Sequence, residues 1–267
     1  MLVSIVTPVL NGMPYLPSTL ASIAGQSYDN WELIVVDGGS DDGSLEIVRD
    51  FAEREPRCRL LVGKDRGMYD AVFRGFEHAR GSLLTWINAD DTLMPWAVAT
   101  AVEQARAGHH WLCGLPAVCD RAGRIRYVEA NNWYPRWAVR RGWMHGGCMG
   151  FIQQEGVFFS RRLLAELPPS TVDTIRASRL CGDTLLWAAL AQQQSLLSLP
   201  VPLACFRRHA DNRSLRGYAD YLAELRGHRF PSPPRPLARS IRWLYVIAGT
   251  MVTRYRLRHW HVEPAVR

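Results

Sequence analysis

The residues with the greatest chemical potential are two adjacent carboxylates, Asp90 and Asp91, in the stretch Gly81–Pro95, GSLLTWINADDTLMP. The apolar run Leu83–Ile87 stops abruptly at Asn88-Ala89-Asp90-Asp91. Such a run reads as a buried parallel strand whose carboxyl end presents both acids. Open α/β sheets bind their ligands at that edge. Two anions side by side repel, so the pair calls for a cation or a network of donors. A divalent metal (magnesium or manganese) with oxygen ligands, itself bridging a substrate diphosphate, meets that need. The competing reading is a helix N-cap ahead of Pro95, which suits Asp91 or Thr92 taken alone equally well.

A third acid, Asp37, closes the apolar run ELIVVD and opens the loop Gly38-Gly39-Ser40-Asp41-Asp42-Gly43-Ser44. A carboxylate there can accept bonds from a ribose or a base N–H. The G-x-G-x-x-G fingerprint is missing after the first strand, which disfavours hydride transfer. There is also no Walker A loop, G-x-S-x-G elbow or H-E-x-x-H pair.

The elements that must carry these acids repeat at roughly 25–30 residues. Strands are expected at 3–9, 32–37, 58–62 and 83–87. Between them lie helices with Leu16, Leu20 and Ile23, with Val48 and Phe51, and with Met68, Val72 and Phe76 turned inward. The pattern predicts an α/β fold, a doubly wound and mostly parallel sheet. Beyond it we expect a helix over 96–107, a hairpin over 111–128 and a long Trp-, Gly- and Asn-rich loop over 131–150. A strand over 156–159 follows, then a helix ending at Pro168-Pro169, a helix opened by Asp183, and two short strands within 196–206. The chain is expected to end in a polar loop over 207–214, a helix over 215–226, a Pro-rich linker (230–236) and a helix over 237–258. In domain terms, residues 1–229 form one unit, with 1–107 on the nucleotide side and 108–229 on the acceptor side. Residues 230–267 form a linker and a basic, amphipathic C-terminal helix.

At 48% hydrophobic and 21% charged residues the composition is that of a soluble globular protein. Six scattered cysteines contain no C-x-x-C, so no zinc ribbon or redox motif is indicated, and reduced thiols in a cytosol are expected. The N-terminus enters a strand without a basic n-region and does not read as a targeting peptide. The net charge of +7 is uneven: residues 207–267 hold 13 Arg and 4 acids. The rest of the chain is slightly acidic. A basic tail of this kind suits nucleic acid or an anionic membrane.

Several ordered motifs together resemble the family-2 inverting glycosyltransferases of GT-A fold. They are Ser4-Ile5-Val6-Thr7-Pro8-Val9-Leu10-Asn11, Thr19-Leu20-x-Ser22-Ile23-x-x-Gln26, Trp31 to Ser44, Asp65-Arg66-Gly67-Met68-Tyr69-Asp70-Ala71, and Ala79-Arg80-Gly81 leading into Leu83 to Asp91. The resemblance is dense over 3–95 and thinner over 150–214. It implies that Thr7, Asp37, Asp65 and Arg66 line a nucleoside pocket. It also implies that Asp90 and Asp91 form the metal motif usually written D-x-D, here with Asn88 in its first position. Gly182-Asp183 resembles the position of the general base, with helix capping as the competing role and Glu155 of Gln153-Gln154-Glu155-Gly156 as the fallback. Arg207-Arg208-His209 with Ser214 resembles a basic loop that closes over the diphosphate, and His209 is alternatively a metal ligand. Trp133, Trp137 and Trp143 are candidates for stacking on sugars.

The function implied is transfer of a hexose-type sugar from a nucleotide-sugar donor to a hydroxyl of a glycan or lipid-linked acceptor. A sugar-nucleotide pyrophosphorylase shares the sheet and metal logic, but it needs a basic Gly-rich loop where this chain has Asn11-Gly12-Met13-Pro14. An inactive nucleotide-sugar-binding scaffold is the third possibility. In the tail, the apolar centre 243–252 is too short to span a bilayer. Its arginine and tryptophan flanks suit an anionic membrane surface better than nucleic acid, giving a cytoplasmic enzyme held at the inner face of the plasma membrane. Packing of the tail on the body or on a second copy is the alternative.

Overall fold

The computed structural model describes residues 1–129, 133–145, 148–210, 212, 217–228, 230 and 235–259. Four apolar runs form the parallel strands β1 (Val3–Val9), β2 (Trp31–Asp37), β3 (Cys58–Val62) and β4 (Leu83–Trp86). The helices α1 (Leu16–Ala24), α2 (Ser44–Arg54) and α3 (Met68–His78) connect them. The register sets Val9 beside Asp37 and Asp37 beside Val62, so β1, β2 and β3 end together. The Asp37 edge is therefore shared by three strand ends.

The central sheet has seven strands in the order β10-β6-β9-β4-β1-β2-β3, with β6 (Trp111–Cys113), β9 (Val157–Ser160) and β10 (Leu197–Ser198) supplied by the second half of the chain. Only β9 runs against its neighbours, antiparallel to both β4 and β6. Strands buried on both faces alternate their side chains between two cores. Val6, Val36 and Phe159 enter one, while Ile5, Val35 and Phe158 enter the other. The first core is covered by α3 and by α8 (Gly182–Gln193), the second by α1 and by α4 (Ala97–Arg106).

A second sheet of four short strands, β5-β11-β7-β8, is made of β5 (Thr92–Leu93), β7 (Ala117–Cys119), β8 (Ile125–Val128) and β11 (Ala204–Arg207). The expected hairpin is thus confined to 117–128. Trp111–Cys113 joins the central sheet, because its three buried residues pair with β9. The helix α5 (Arg136–Arg140) precedes β9, and α6 (Arg161–Ala165) and α7 (Pro169–Ala177) follow it. The helix α6 ends just ahead of Pro168-Pro169 as expected, and Pro169 starts a further one, as its fixed φ allows at a first turn. Arg207 is the last residue of β11, not part of a loop. The chain closes with α9 (Tyr218–Gly227) and α10 (Arg235–His259). Ser214 and most of the Pro-rich linker lie outside the described residues.

Trp187 fixes α8 to the sheet. Its ring stacks on Trp86 at 5.4 Å and on Trp111 at 6.0 Å, one ring from β4 and one from β6. Such pairs contribute about 0.5–1.5 kcal/mol each beyond simple burial. They hold the first turn of α8, and Asp183 with it, over the end of the sheet.

Candidate active site

The two adjacent acids face opposite ways. Asp91 is fully buried: its Oδ1 accepts the Arg207 backbone N–H at 2.7 Å, and its Oδ2 accepts the Asn88 amide at 3.3 Å. Its carboxyl hydrogen-bonds Glu155, which sits in the turn Gln154–Gly156 and is also buried. Burial, then the nearby Glu155 and Asp90, push Asp91 well above the carboxylate range. Burial likewise pushes Glu155 up to about 7. Two buried carboxyls in contact hold one proton between them.

Asp90 is partly exposed, and its Oδ2 lies 2.9 Å from His209 Nε2 and 3.3 Å from the Asn212 amide. The imidazole is backed by Tyr15, whose ring is 4.6 Å away. Asn212 is itself buried and accepts the His209 backbone N–H at 2.6 Å. A carboxylate oxygen and an imidazole nitrogen at the mouth of a crevice are donors that a divalent cation accepts, with substrate phosphates completing its shell. Asp90 and His209 could hold a metal, whereas the Asp91 carboxyl is already engaged by Arg207, Asn88 and Glu155.

Arg207 is the strut of this corner. Its guanidinium is buried and donates to the Asp90 carbonyl (2.7 Å), the Arg121 carbonyl (2.9 Å) and Ser18 Oγ (2.9 Å). One side chain therefore ties together α1, the β7–β8 turn and the acidic loop. Arg208 is exposed, with its backbone N–H on the Cys119 carbonyl.

Asp37 is buried, and its carboxylate is used by its own loop: Oδ1 accepts Gly39 and Ser40 N–H groups and Oδ2 accepts Ser40 Oγ. Asp65 Oδ1 accepts the Gly67 N–H, and Oδ2 lies where a Cβ on Gly38 would come within 2.7 Å. Only glycine lets these two loops approach so closely. Arg66 reaches back to Asp70, at 2.9 Å, and remains largely exposed. Arg66 and Arg176 hold the Asp70 carboxyl well below its ordinary range. Thr7 Oγ1 is buried with no hydrogen-bond partner among the described residues. The loop after β1 is joined to the loop after β2: Asn11, Gly12 and Met13 N–H groups donate to Ser40, Ser44 and Asp42 side chains.

Asp183 lies at the start of α8. It is the second residue of α8, not its cap; Cys181 holds the cap position. Burial pushes its carboxyl up to about 6, against the bond it accepts from the Thr184 N–H at 2.7 Å and the neighbouring Tyr69 hydroxyl. Glu155 lies within electrostatic reach of both Asp90 and Asp183. Tyr69, from the Asp65–Ala71 motif, was not singled out from the sequence. Its buried ring packs where a Cβ on Gly182 would come within 2.6 Å, so the pairing of glycine with Asp183 has a steric reason. Asn212 and Ser18 were also missed, having no signal beyond an ordinary polar identity.

The tryptophans of the 131–150 region have aromatic neighbours, and Trp137 is about half exposed. Trp133 stacks on Tyr245 of α10 at 6.0 Å, and Trp137 meets Trp143 edge-on at 5.6 Å. All six cysteines are free and buried. Among the described residues, Cys181, Glu224 and His228 form a three-residue group within metal-ligand reach. Glu224 already accepts bonds from Ser178, Arg179 and Leu180, and burial pushes the Cys181 thiol up to about 12, so this group is a turn brace.

Comparison with known proteins identifies the fold and the family. In solved structures the chain is similar to Staphylococcus aureus TarS 1–349 in complex with UDP-GlcNAc (TM-score 0.65, 14% identity, 99% of this chain and 77% of that one). It is also similar to the mannosyltransferase PcManGT from Pyrobaculum calidifontis in complex with GDP-Man and Mn2+ (TM-score 0.56, 18% identity, 98% of this chain and 76% of that one). These neighbours show the GT-A fold. By sequence it is 32% identical over 144 residues to an undecaprenyl-phosphate 4-deoxy-4-formamido-L-arabinose transferase of Aeromonas hydrophila, covering 52% of this chain and 41% of that protein. It is 44% identical over 92 residues to a PGL/p-HBAD biosynthesis glycosyltransferase of Mycobacterium bovis, covering 34% of this chain and 36% of that protein. The matches thus span well under half the length of these relatives. The model of the family described as glycosyl transferase family 2 matches residues 4–167, and the chain belongs to that family.

Proposed function

We propose that this chain moves a sugar from a nucleotide-sugar donor to a hydroxyl of a glycan or lipid-linked acceptor, with inversion at the anomeric carbon and with a divalent metal. The observation that carries the reading is a group of acids within electrostatic reach of one another: a partly exposed Asp90 paired with His209, and Asp183 with its pKa raised to about 6, both felt by Glu155. Nucleotide-sugar binding by the neighbours TarS and PcManGT supports the donor class. The lipid named in the Aeromonas relative supports a lipid-linked acceptor.

Asp183 is ionised at neutral pH and is a stronger base than an ordinary aspartate. It takes the proton of the acceptor hydroxyl as that oxygen bonds to the anomeric carbon. The bond from that carbon to the diphosphate breaks on the opposite face, and the nucleoside diphosphate leaves with both electrons. A divalent cation, held by Asp90 and His209, would offset the charge of the diphosphate. Arg208, exposed at the end of β11, can add to that compensation. Asp37 and Asp65 shape the nucleoside end, mainly through the loops they hold, and the buried Thr7 hydroxyl, unpaired among the described residues, adds to it. The loop after β1 spends its N–H groups on Ser40, Asp42 and Ser44 and carries no basic residue, which speaks against a pyrophosphorylase.

The test is a panel of nucleotide sugars in a thermal-shift assay with and without manganese, followed by donor hydrolysis. We expect one donor class to raise the melting temperature, and more so with manganese. No shift with any donor, or shifts indifferent to the metal, would overturn the reading or its metal component respectively.

A further inference from the structure

We propose that the outward face of α10 docks on an anionic lipid bilayer, with the helix lying in the headgroup region. The inward face is settled by contacts: Tyr245 is buried, its ring is stacked on Trp133 and its hydroxyl donates to the Trp133 carbonyl. Gly249 is buried on the next turn. Opposite them, Trp243, Ile247 and Met251 recur every four residues, which aligns them on one side of a helix. Leu244 and Val246 widen the stripe. Trp243 is 65% exposed, Leu244 59% and Met251 66%, so this apolar surface packs against nothing described in the chain. Large side chains in such a stripe mark an interaction surface, unlike singly scattered ones.

Charge selects the occupant. The 25-residue helix contains six arginines and no acidic residue. Arg254 is exposed beyond the stripe, and Arg242 precedes it within electrostatic reach of Glu129. A second copy docking here would set arginine-rich helix against arginine-rich helix, a repulsive arrangement. Nucleic acid would use the arginines but not the tryptophan, leucine and methionine between them. An anionic bilayer uses both: acyl chains take the apolar stripe and headgroup phosphates take the guanidinium groups. No helix among the described residues is long and apolar enough to cross a membrane, which leaves attachment in the plane of the surface.

The helix is tied to the body through α5 and α8. Trp133 precedes α5, and Arg136 of α5 donates to the Ala191 and Gln192 carbonyls at the end of α8. Asp183 is at the other end of α8. A bilayer bound to α10 is therefore held at a fixed side of the crevice.

The experiment is cosedimentation of the whole chain with phosphatidylglycerol–phosphatidylcholine vesicles and with phosphatidylcholine vesicles. We expect about ten- to a hundredfold stronger partitioning onto the anionic ones, weakened by salt. The variant Trp243→Ala/Ile247→Ala, altered only on the exposed face, should lose about tenfold or more while melting at the same temperature. A second variant, Met251→Ala, should lose part of that binding. Failure of the whole chain to bind anionic vesicles overturns the proposal, as does equal binding to neutral ones or unchanged binding by the double variant. A concentration-dependent dimer in vesicle-free sedimentation, abolished by the double variant, would give the face to a second copy and also overturn it. Donor hydrolysis in the same samples reports on the transferase reading separately.

Discussion

Replacing Asp183 with asparagine changes one atom and separates two properties of the residue. The amide oxygen can still accept the Thr184 N–H, so the local fold is kept. It cannot accept a proton, so turnover should fall by about two to four orders of magnitude, the usual worth of a general base. Stability should move the other way. The carboxyl is raised from 3.8 to about 6 by burial, so between those values the folded chain holds a proton that the unfolded chain has released. Folding free energy is therefore lost as pH rises through this window, and above it the full cost is present. That cost is at most about 3 kcal/mol, and about 1–2 kcal/mol once the partial exposure of the side chain is allowed for. Asp183→Asn should then melt about 3–6 °C higher than the parent at pH 8 and level with it near pH 4. The parent's kcat should rise with pH through about 6 and then level off. Calorimetric melts at both pH values, with a pH–rate profile, make the measurement. An active variant, or one equally stable at both pH values, would refute the argument that Asp183 is a desolvated base.

Four further outcomes follow from the site. Asp90→Asn should lose metal-dependent donor affinity, read by titration calorimetry, with an unchanged melt in the absence of metal. Asp91→Ala, by contrast, should melt lower by about 1–3 kcal/mol because the Arg207 N–H loses its buried acceptor, and Asp91→Asn should restore most of it. Gly182→Ala forces a methyl into the Tyr69 ring, so a loss of about 1–3 kcal/mol and a fall in kcat are expected with little change in donor binding. Arg207→Lys should behave almost as badly as Arg207→Met in thermal melts, since one ammonium cannot reach the Asp90, Arg121 and Ser18 oxygens that the planar fork spans.

The first four strands were legible because each is a largely apolar run with turn residues at its end, and β1, β2 and β4 are buried on both faces. Trp111–Cys113 was misassigned because three apolar residues carry no period, and its partner strand β9 lies more than forty residues further along the chain. The acidic corner was legible in its residue types but not in its orientation. Neighbours in a turn point apart, and which acid faces water is set by Arg207, His209 and Asn212, far away in sequence. The same distance hid the burial of Arg207: among Arg208, His209 and Asp211 it reads as one more solvated charge. Asp183 was visible as an acid opening a helix, whereas the Tyr69 ring that fits over Gly182 could only be seen once α3 and α8 were side by side.

The bond from the Arg207 backbone to Asp91 joins residues 116 positions apart, and this has a consequence for biogenesis. The first half of the chain can leave the ribosome with its parallel strands complete and its acidic corner still unformed. At ordinary rates of translation, several seconds or more separate the emergence of Asp91 from that of Arg207. During that interval two carboxyls destined for burial remain hydrated, so the nascent sheet has no finished cation or donor site to fill prematurely. Closure of β11 between β5 and β7 is then the event that converts a folded scaffold into a binding-competent one.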